Sequence, residues 1–462
     1  MKHEKNWSNK QLIWIIASLA WPTILDQLLQ TIVIYADTAM VGRIGANASA
    51  SVGLVTPVTW LINGPIFGLG IGVLAFISRN NGAKKYDEIK VAAMQAIYLA
   101  LICGGLFSVV IVAISPYLPA WLGGAPEIQW DTTKYLAITG SATIFRSISI
   151  VMGCALRGTG DTKTPMINNT IMNFVNVVLN FLFIYDSRII HIGSVEVPVW
   201  GANLGVAGAA LGTAISCVIG AVLMLLAVFR SEVLSPLHIS KRVDKRVMGQ
   251  CVKVGVPLAI QRIAIFSGHT VFTSMVAHLG TILLAAHSIA ISAEELFYIP
   301  GFGMQEAGST LVGNAMGEGN EKKMDRLARL LILITTGLMT VTGALLFIFP
   351  EFMMKIFTED PEVIAAGVIA LRIVAVSEPI YGALIMLEGV FNGVGNTKTT
   401  FIVGVGTMWG IRVVFTALCV YVLDLGLASV WVCMVAENVA KALILGVLFL
   451  RGNWKKGAAR YS

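Results

Sequence analysis

Gly158-Thr159-Gly160-Asp161-Thr162-Lys163-Thr164 recurs 235 residues later as Gly393-Val394-Gly395-Asn396-Thr397-Lys398-Thr399, with five of seven residues identical. The same offset lays Pro22 on Pro257, Gly45 on Gly280, Pro65 on Pro300, Gly68 on Gly303 and Gly82 on Gly317. These matches spread over several apolar segments at a single offset, so chance likeness between greasy stretches does not explain them. The chain is two copies of one unit.

Each unit holds six long apolar stretches. Across the chain they fall near 11–36, 52–78, 91–115, 131–155, 165–186, 204–229, 252–277, 284–313, 328–350, 361–390, 400–423 and 426–450. About twenty apolar residues cross the ~30 Å hydrocarbon core of a bilayer. Of the 462 residues, 56% are hydrophobic and only 13% charged, about half the charged share of a soluble domain. A soluble enzyme, a disulfide scaffold and a disordered tail protein are excluded. The expected fold is an all-α integral membrane protein of twelve transmembrane helices in two six-helix bundles, 1–229 and 251–462, joined by a cytoplasmic linker over 230–250. Six crossings per unit give both the same orientation, with an axis along the membrane normal and a substrate path between them.

The net charge of +7 is a topology signal. With the N-terminus inside, 23 Lys and Arg residues face the cytoplasm, Arg157 among them, against Arg43, Lys134, Arg188 and Lys355 opposite. Both termini are therefore expected to be cytoplasmic, in the cell (inner) membrane, and nucleic-acid binding is a poor reading of the charge. The six cysteines lie in or beside apolar spans without a CxxC pair and read as small core residues. The first span follows a charged segment and is too long for a cleavable signal, so it is expected to be retained. His269, His278 and His287 have no metal-ligand spacing, and polar packing is their expected role. The Gly-x-Gly-x-Thr-Lys connectors lack phosphate-loop spacing and read as tight turns. Pro22, Pro65, Pro257 and Pro300 interrupt helices, as fixed kinks or as hinges.

Function should lie where the two units differ. Asp37 stands opposite Phe272, so the fold does not require a carboxylate there, and an acid near hydrocarbon points to a proton or ion role. Asp26, Gln30 and Asp37, at i, i+4 and i+11, return to one helical face. Asp26 reads equally as a polar packing contact or a substrate contact. Asn169, Asn173, Asn176 and Asn180 form a second one-faced stripe, whose offset partners Gly404, Met408, Ile411 and Phe415 carry no polar side chain. Such amides serve as cation ligands or as hydrogen-bonding glue between helices. Glu294, Glu295 and Glu306 oppose Thr59, Trp60 and Ile71, and Glu378 and Glu388 add further acid. An acidic cavity attracts cations; the alternative is pairing with Arg146, Arg262, Arg372 or Arg412. Glu437 and Lys441, at i and i+4, read as an ion pair.

Several segments resemble one family. Ala36-Asp37-Thr38-Ala39-Met40-Val41-Gly42-Arg43-Ile44-Gly45 looks like the end of helix one in the multidrug and toxic compound extrusion (MATE) family. Arg157 to Pro165 resembles its connector after helix four, Leu311 to Gly317 the end of helix eight, and Arg451-Gly452-Asn453-Trp454 the segment after the last helix. The resemblance implies a monomeric, alternating-access antiporter that exports organic cations, drugs or amphipathic compounds in exchange for H+ or Na+, without a bound cofactor. It implies a coupling-cation site at Asp37, Asn176, Asn180 and Thr213. Substrate contacts are expected at Asp26, Gln30, Asn173, Glu294, Glu295 and Glu306. Asn180 stands where some members carry a second carboxylate, which weakens a hard-cation site, so H+ is the expected coupling ion. Ile265 replaces an acid of the norfloxacin-type branch, which places the chain closer to the DNA-damage-inducible and archaeal type. The rival readings are a flippase for lipid-linked sugars and, in another class, a polytopic membrane enzyme or receptor.

Overall fold

A computed structural model describes residues 8–192, 195–240 and 242–455. It contains eleven single helices long and apolar enough to cross a bilayer, and a twelfth span made of two helices, Pro126–Ser141 and Thr143–Gly158, bent by 45°. Spans one to six are Asn9–Gly42, Ala46–Gly82, Tyr86–Ile114, that bent pair, Lys163–Ile184 and Gly205–Arg230. Spans seven to twelve are Lys245–His278, Thr281–Gly317, Glu321–Ile348, Pro361–Gly393, Thr397–Val422 and Leu427–Leu450. Spans two and eight, repeat mates of 37 residues each, reach about 55 Å at 1.5 Å per residue. They protrude beyond the hydrocarbon.

Local chemistry sets the ends. Ser8 and Gln11 form a capping box, each side chain bonded to the other's backbone nitrogen, which satisfies two orphan donors of span one. The expected tight turns after spans four and ten contain Gly160 at φ +95° and Gly395 at φ +77°, a backbone region that L side chains enter at a cost. The described linker residues between Arg230 and Lys245 form turns rather than a helix. A short antiparallel hairpin, β1 (Asp186–Ile192) and β2 (Val195–Ala202), joins spans five and six. It adds a small extramembrane element to an otherwise helical chain; its β-branched residues occupy a connector too short and too polar to cross.

The repeat is not mirrored in every detail. Span five is regular α-helix, whereas its mate, span eleven, widens into π-helix over Met408–Val413 and Leu418–Val422. Such widenings concentrate at functional positions, and Arg412 lies in the first.

The packed cores do not follow the 230–250 boundary. Leu12, Ile16 and Ala20, from the start of span one, are buried among Leu311, Leu327, Leu331, Val390 and Phe391 of the second unit. Reciprocally, Val247 and Cys251, from the start of span seven, pack with Val73, Ile77, Ala96 and Met224 of the first. Each leading span thus begins in the other lobe's core. Pro22 and Pro257 stand near the points where these helices cross back.

A glycine seam seals the lobes on the face that carries both described chain ends. A Cβ at Gly68 would lie 2.6 Å from the Ala259 amide nitrogen and 2.9 Å from the Gly255 carbonyl oxygen. One at Gly82 would collide with the Asn314 carbonyl, and one at Gly317 with that of Arg79. The Thr23 hydroxyl donates to the Gly303 carbonyl at 2.7 Å, and the Asn81 amide donates to Asn314 Oδ1 at 3.0 Å. Lipid gives helices little hydrophobic reason to associate, so small residues that let backbones meet supply the contact.

Gly68→Val should therefore destabilise the protein by about 1–3 kcal/mol, the usual cost of overpacking. Gly53→Ala, at a helical position with open space around it, should leave stability equal or slightly raised. Thermal unfolding in detergent distinguishes them; equal midpoints for both variants would refute the seam.

Candidate cation and substrate sites

Two polar clusters divide the stripe expected on span one. The first surrounds Asp37, one turn from the end of that span. Asn180 Nδ2 donates to Asp37 Oδ1 at 2.8 Å. The end of the Asn176 amide lies 3.0 and 3.1 Å from the two Asp37 oxygens. Turned nitrogen-first, it donates to both. Turned oxygen-first, it leaves its nitrogen 3.3 Å from Thr213 Oγ1 and offers Asp37 an acceptor. An ionised carboxylate suits the first orientation and a protonated carboxyl the second, because only the protonated form has a hydrogen to donate.

Asn180 Oδ1 is buried without a hydrogen-bond partner. Gly212 on span six passes so close that a Cβ there would collide with this oxygen. The sequence-expected residues Asp37, Asn176, Asn180 and Thr213 thus meet at one point, drawn from spans one, five and six. Tyr185, just past span five, donates to the Met40 carbonyl at 2.9 Å and fixes the adjoining helix ends. The Arg188 guanidinium stacks 4.2 Å from the Phe181 ring and 4.5 Å from that of Tyr185, a cation at a helix C-terminus, where the dipole favours it.

The second cluster lies deeper, on the side of the chain ends. Asp26, 2% exposed, holds Arg157 at 2.7 Å and accepts from Gln30 at 3.0 Å and from Asn169 at 3.0 and 2.9 Å. Arg157 was expected among the cytoplasmic surface charges. It is instead 6% exposed and belongs to the protein interior, because the end of span four turns it inward onto Asp26. Both Asp26 oxygens accept hydrogen bonds from these partners. Glu306, from span eight, comes within 3.3 Å of Arg157 Nε and accepts from Gln27 at 3.3 Å. Asn173 lies between the clusters, buried, with an unpartnered amide nitrogen.

The second unit's acids separate. Glu294 is buried beside the core of spans eight, ten and twelve, whereas the adjacent Glu295 is half-buried on another face. Glu378 on span ten is fully buried, and neither carboxylate oxygen has a hydrogen-bond partner. Glu437 is saturated by Arg412 and Lys441, each at 2.8 Å, and by the Thr407 hydroxyl at 2.9 Å. That fits the expected i, i+4 pair and adds Arg412. His287 is packed 5.5 Å from the Phe272 ring and 5.8 Å from that of Trp431, with neither nitrogen bonded. No group of three or more His, Cys, Asp or Glu among the described residues has metal-binding geometry.

Sequence reasoning missed Arg157 as an internal group. The available signal was its repeat mate, the neutral Asn392, since a position that serves merely as a topology charge would tolerate charge in both copies.

The MatE family model matches the chain twice, over residues 22–182 and 257–418, one match per unit. A probable multidrug resistance protein NorM of Thermotoga maritima is 28% identical over 454 residues, covering 96% of this chain and 93% of that protein. Its namesake from Shewanella oneidensis is 26% identical, covering 96% and 95%. A MATE crystal structure in complex with MaL6 superposes with a TM-score of 0.87 at 23% identity, covering 96% of each chain. A transporter of the MOP superfamily from Pyrococcus furiosus gives 0.85 at 23% identity, covering 99% of each. With both halves matched, twelve spans in two lobes and relatives aligned along nearly their whole length, the chain belongs to the MatE family of membrane transporters.

Proposed function

We propose that the protein is a secondary antiporter that exports organic cations, drugs or related amphipathic compounds by alternating access. One observation carries the reading: a carboxylate, Asp37, is held by Asn176 and Asn180 beside an unpartnered buried oxygen, where the other lobe has Phe272. The fold is complete without this acid, so its desolvation cost is repaid by function. The names of the relatives, probable multidrug resistance proteins, agree.

The coupling ion is H+. A single carboxyl carries one proton, and the Asn176 amide can serve its charged and neutral forms by turning over. Na+ would gather oxygens around one point, yet the Asn180 nitrogen already occupies Asp37 Oδ1, and only one full negative charge is present. Uptake of the ion favours the state that binds it more tightly, and only that difference in affinity drives the lobes. Glu294 and Glu295, acids that the first lobe lacks at the matching positions Thr59 and Trp60, suit cationic cargo better than the anionic cargo of a lipid-linked-sugar flippase. The protein works as a monomer in the inner membrane with both ends cytoplasmic, as its Lys and Arg distribution indicates. Within the family we place it nearer the DNA-damage-inducible and archaeal type, on Ile265.

Asp37→Asn should insert and fold normally, as Phe272 in the other lobe implies, and lose coupled efflux to background. Full dye export by a well-expressed variant would remove Asp37 from the mechanism. In proteoliposomes, a pH gradient in Na+-free buffer should drive transport, and a Na+ gradient at equal pH should not; the reverse result would make the amide-rich pocket a sodium site. Glu294→Gln should impair cationic substrates more than neutral ones, and an equal loss of both would assign Glu294 to structure.

A further inference from the structure

Arg157 is a buried arginine that faces a carboxylate from each half of the chain, Asp26 of the first and Glu306 of the second. Its two contacts differ in quality. Toward Asp26 the guanidinium Nη2 donates at 2.7 Å, inside a carboxylate cage completed by Gln30 and Asn169. Toward Glu306 the Nε lies 3.3 Å from Oε2, yet neither atom has an aligned hydrogen bond. The Glu306 side chain also keeps 22% of its surface exposed. One contact is fixed and the other is separable.

The repeat supplies an internal control. Where the first lobe has Asp26, Arg157 and Asn169, the second has Gln261, Asn392 and Gly404; where the second has Glu306, the first has Ile71. The same corner of the fold is therefore built without charges in the other lobe, and packing does not demand them. Asp26 and Glu306 each follow by three residues the two ends of an inter-lobe hydrogen bond, the Thr23 hydroxyl and the Gly303 carbonyl.

We propose that Asp26, Arg157 and Glu306 form an inter-lobe latch: Arg157, anchored by Asp26, holds Glu306 and so keeps the lobes closed on the face of the chain ends. When the lobes part, Glu306 leaves with its own lobe and hydrates, while Arg157 stays neutralised by Asp26. Both states leave every charge with a partner or water, which avoids the penalty of an unpaired buried ion. Arg157 is thus a positioning residue of the transport cycle. The inference rests on the alternating-access reading.

The test measures lobe spacing in the full-length protein in nanodiscs, without substrate or ion gradient. Spin labels are carried by a ketone-bearing unnatural residue at Asp87 and Lys398, both exposed on that face, which leaves the six native cysteines untouched. Wild type should give a short distance. Glu306→Gln should add a longer population raised by roughly tenfold, as expected for loss of one charge-assisted contact, and Glu306→Asp should restore much of the short one. The double variant Asp26→Gln with Arg157→Asn copies the second lobe's own solution, so it should fold, and it should also open. Unchanged distances in folded Glu306→Gln, or opening in the double variant alone, overturn the latch. Because nothing is transported in this measurement, a failed latch leaves the export reading intact, and absent export leaves the latch intact.

Discussion

Hydrocarbon offers no hydrogen bonds, and most of this architecture follows from that. Backbone groups must be satisfied within each crossing segment, so every span is a helix. Polar side chains face the same demand, and the spans are arranged so that amides and charges meet one another. Asp26 collects Arg157, Gln30 and Asn169; Glu437 collects Arg412, Lys441 and Thr407; Asp37 collects Asn180 and Asn176. Some groups are exceptions. Asn173 Nδ2, Asn180 Oδ1, both His287 nitrogens and both Glu378 oxygens are among those that remain buried and unmatched, and an unmatched polar group inside a protein is expensive.

Because the chain contains its own homologue, each lobe tests which residues the fold requires. Glycines and prolines at the seam and the kinks occur in both copies: Pro22 with Pro257, Gly68 with Gly303, Gly82 with Gly317. They serve the shared scaffold. Charged and amide residues mostly occur in one. The first lobe concentrates amides along span five, whereas the second puts π-helix and Arg412 in span eleven. Two lobes with one scaffold and different polar interiors can respond to different ligands, which coupled transport requires.

The reciprocal exchange of spans one and seven gives the lobes a mechanical connection. The start of span one is embedded in the second lobe's core, and its far half carries Asp26 and Asp37 among residues of the first. A change at Asp37 therefore acts on a helix that both lobes grip. Thr23, one residue past Pro22, bonds the Gly303 carbonyl, so the helix is held on each side of the point where its own hydrogen-bond ladder is weakest.

The sequence by itself determined the crossing number, the two-fold repeat and the one-faced stripe of amides on span five. These are properties of period and spacing: twenty apolar residues make a span wherever they occur, and amides at i, i+4, i+7 and i+11 share a helical face in any fold. The expectation that Asp37 meets those amides came from the resemblance of its motifs to a family, not from spacing. The tertiary structure alone decided that Arg157 points inward rather than toward the cytoplasm, that Asp26 forms an ion pair with it, and that Glu294 and Glu295 part company. It also decided that each lobe's core borrows the start of the other's first helix. A charged residue at a helix end has two destinations, water or a buried partner. Which one wins depends on a carboxylate from a helix more than a hundred residues away in sequence, and no local pattern records that distance being closed.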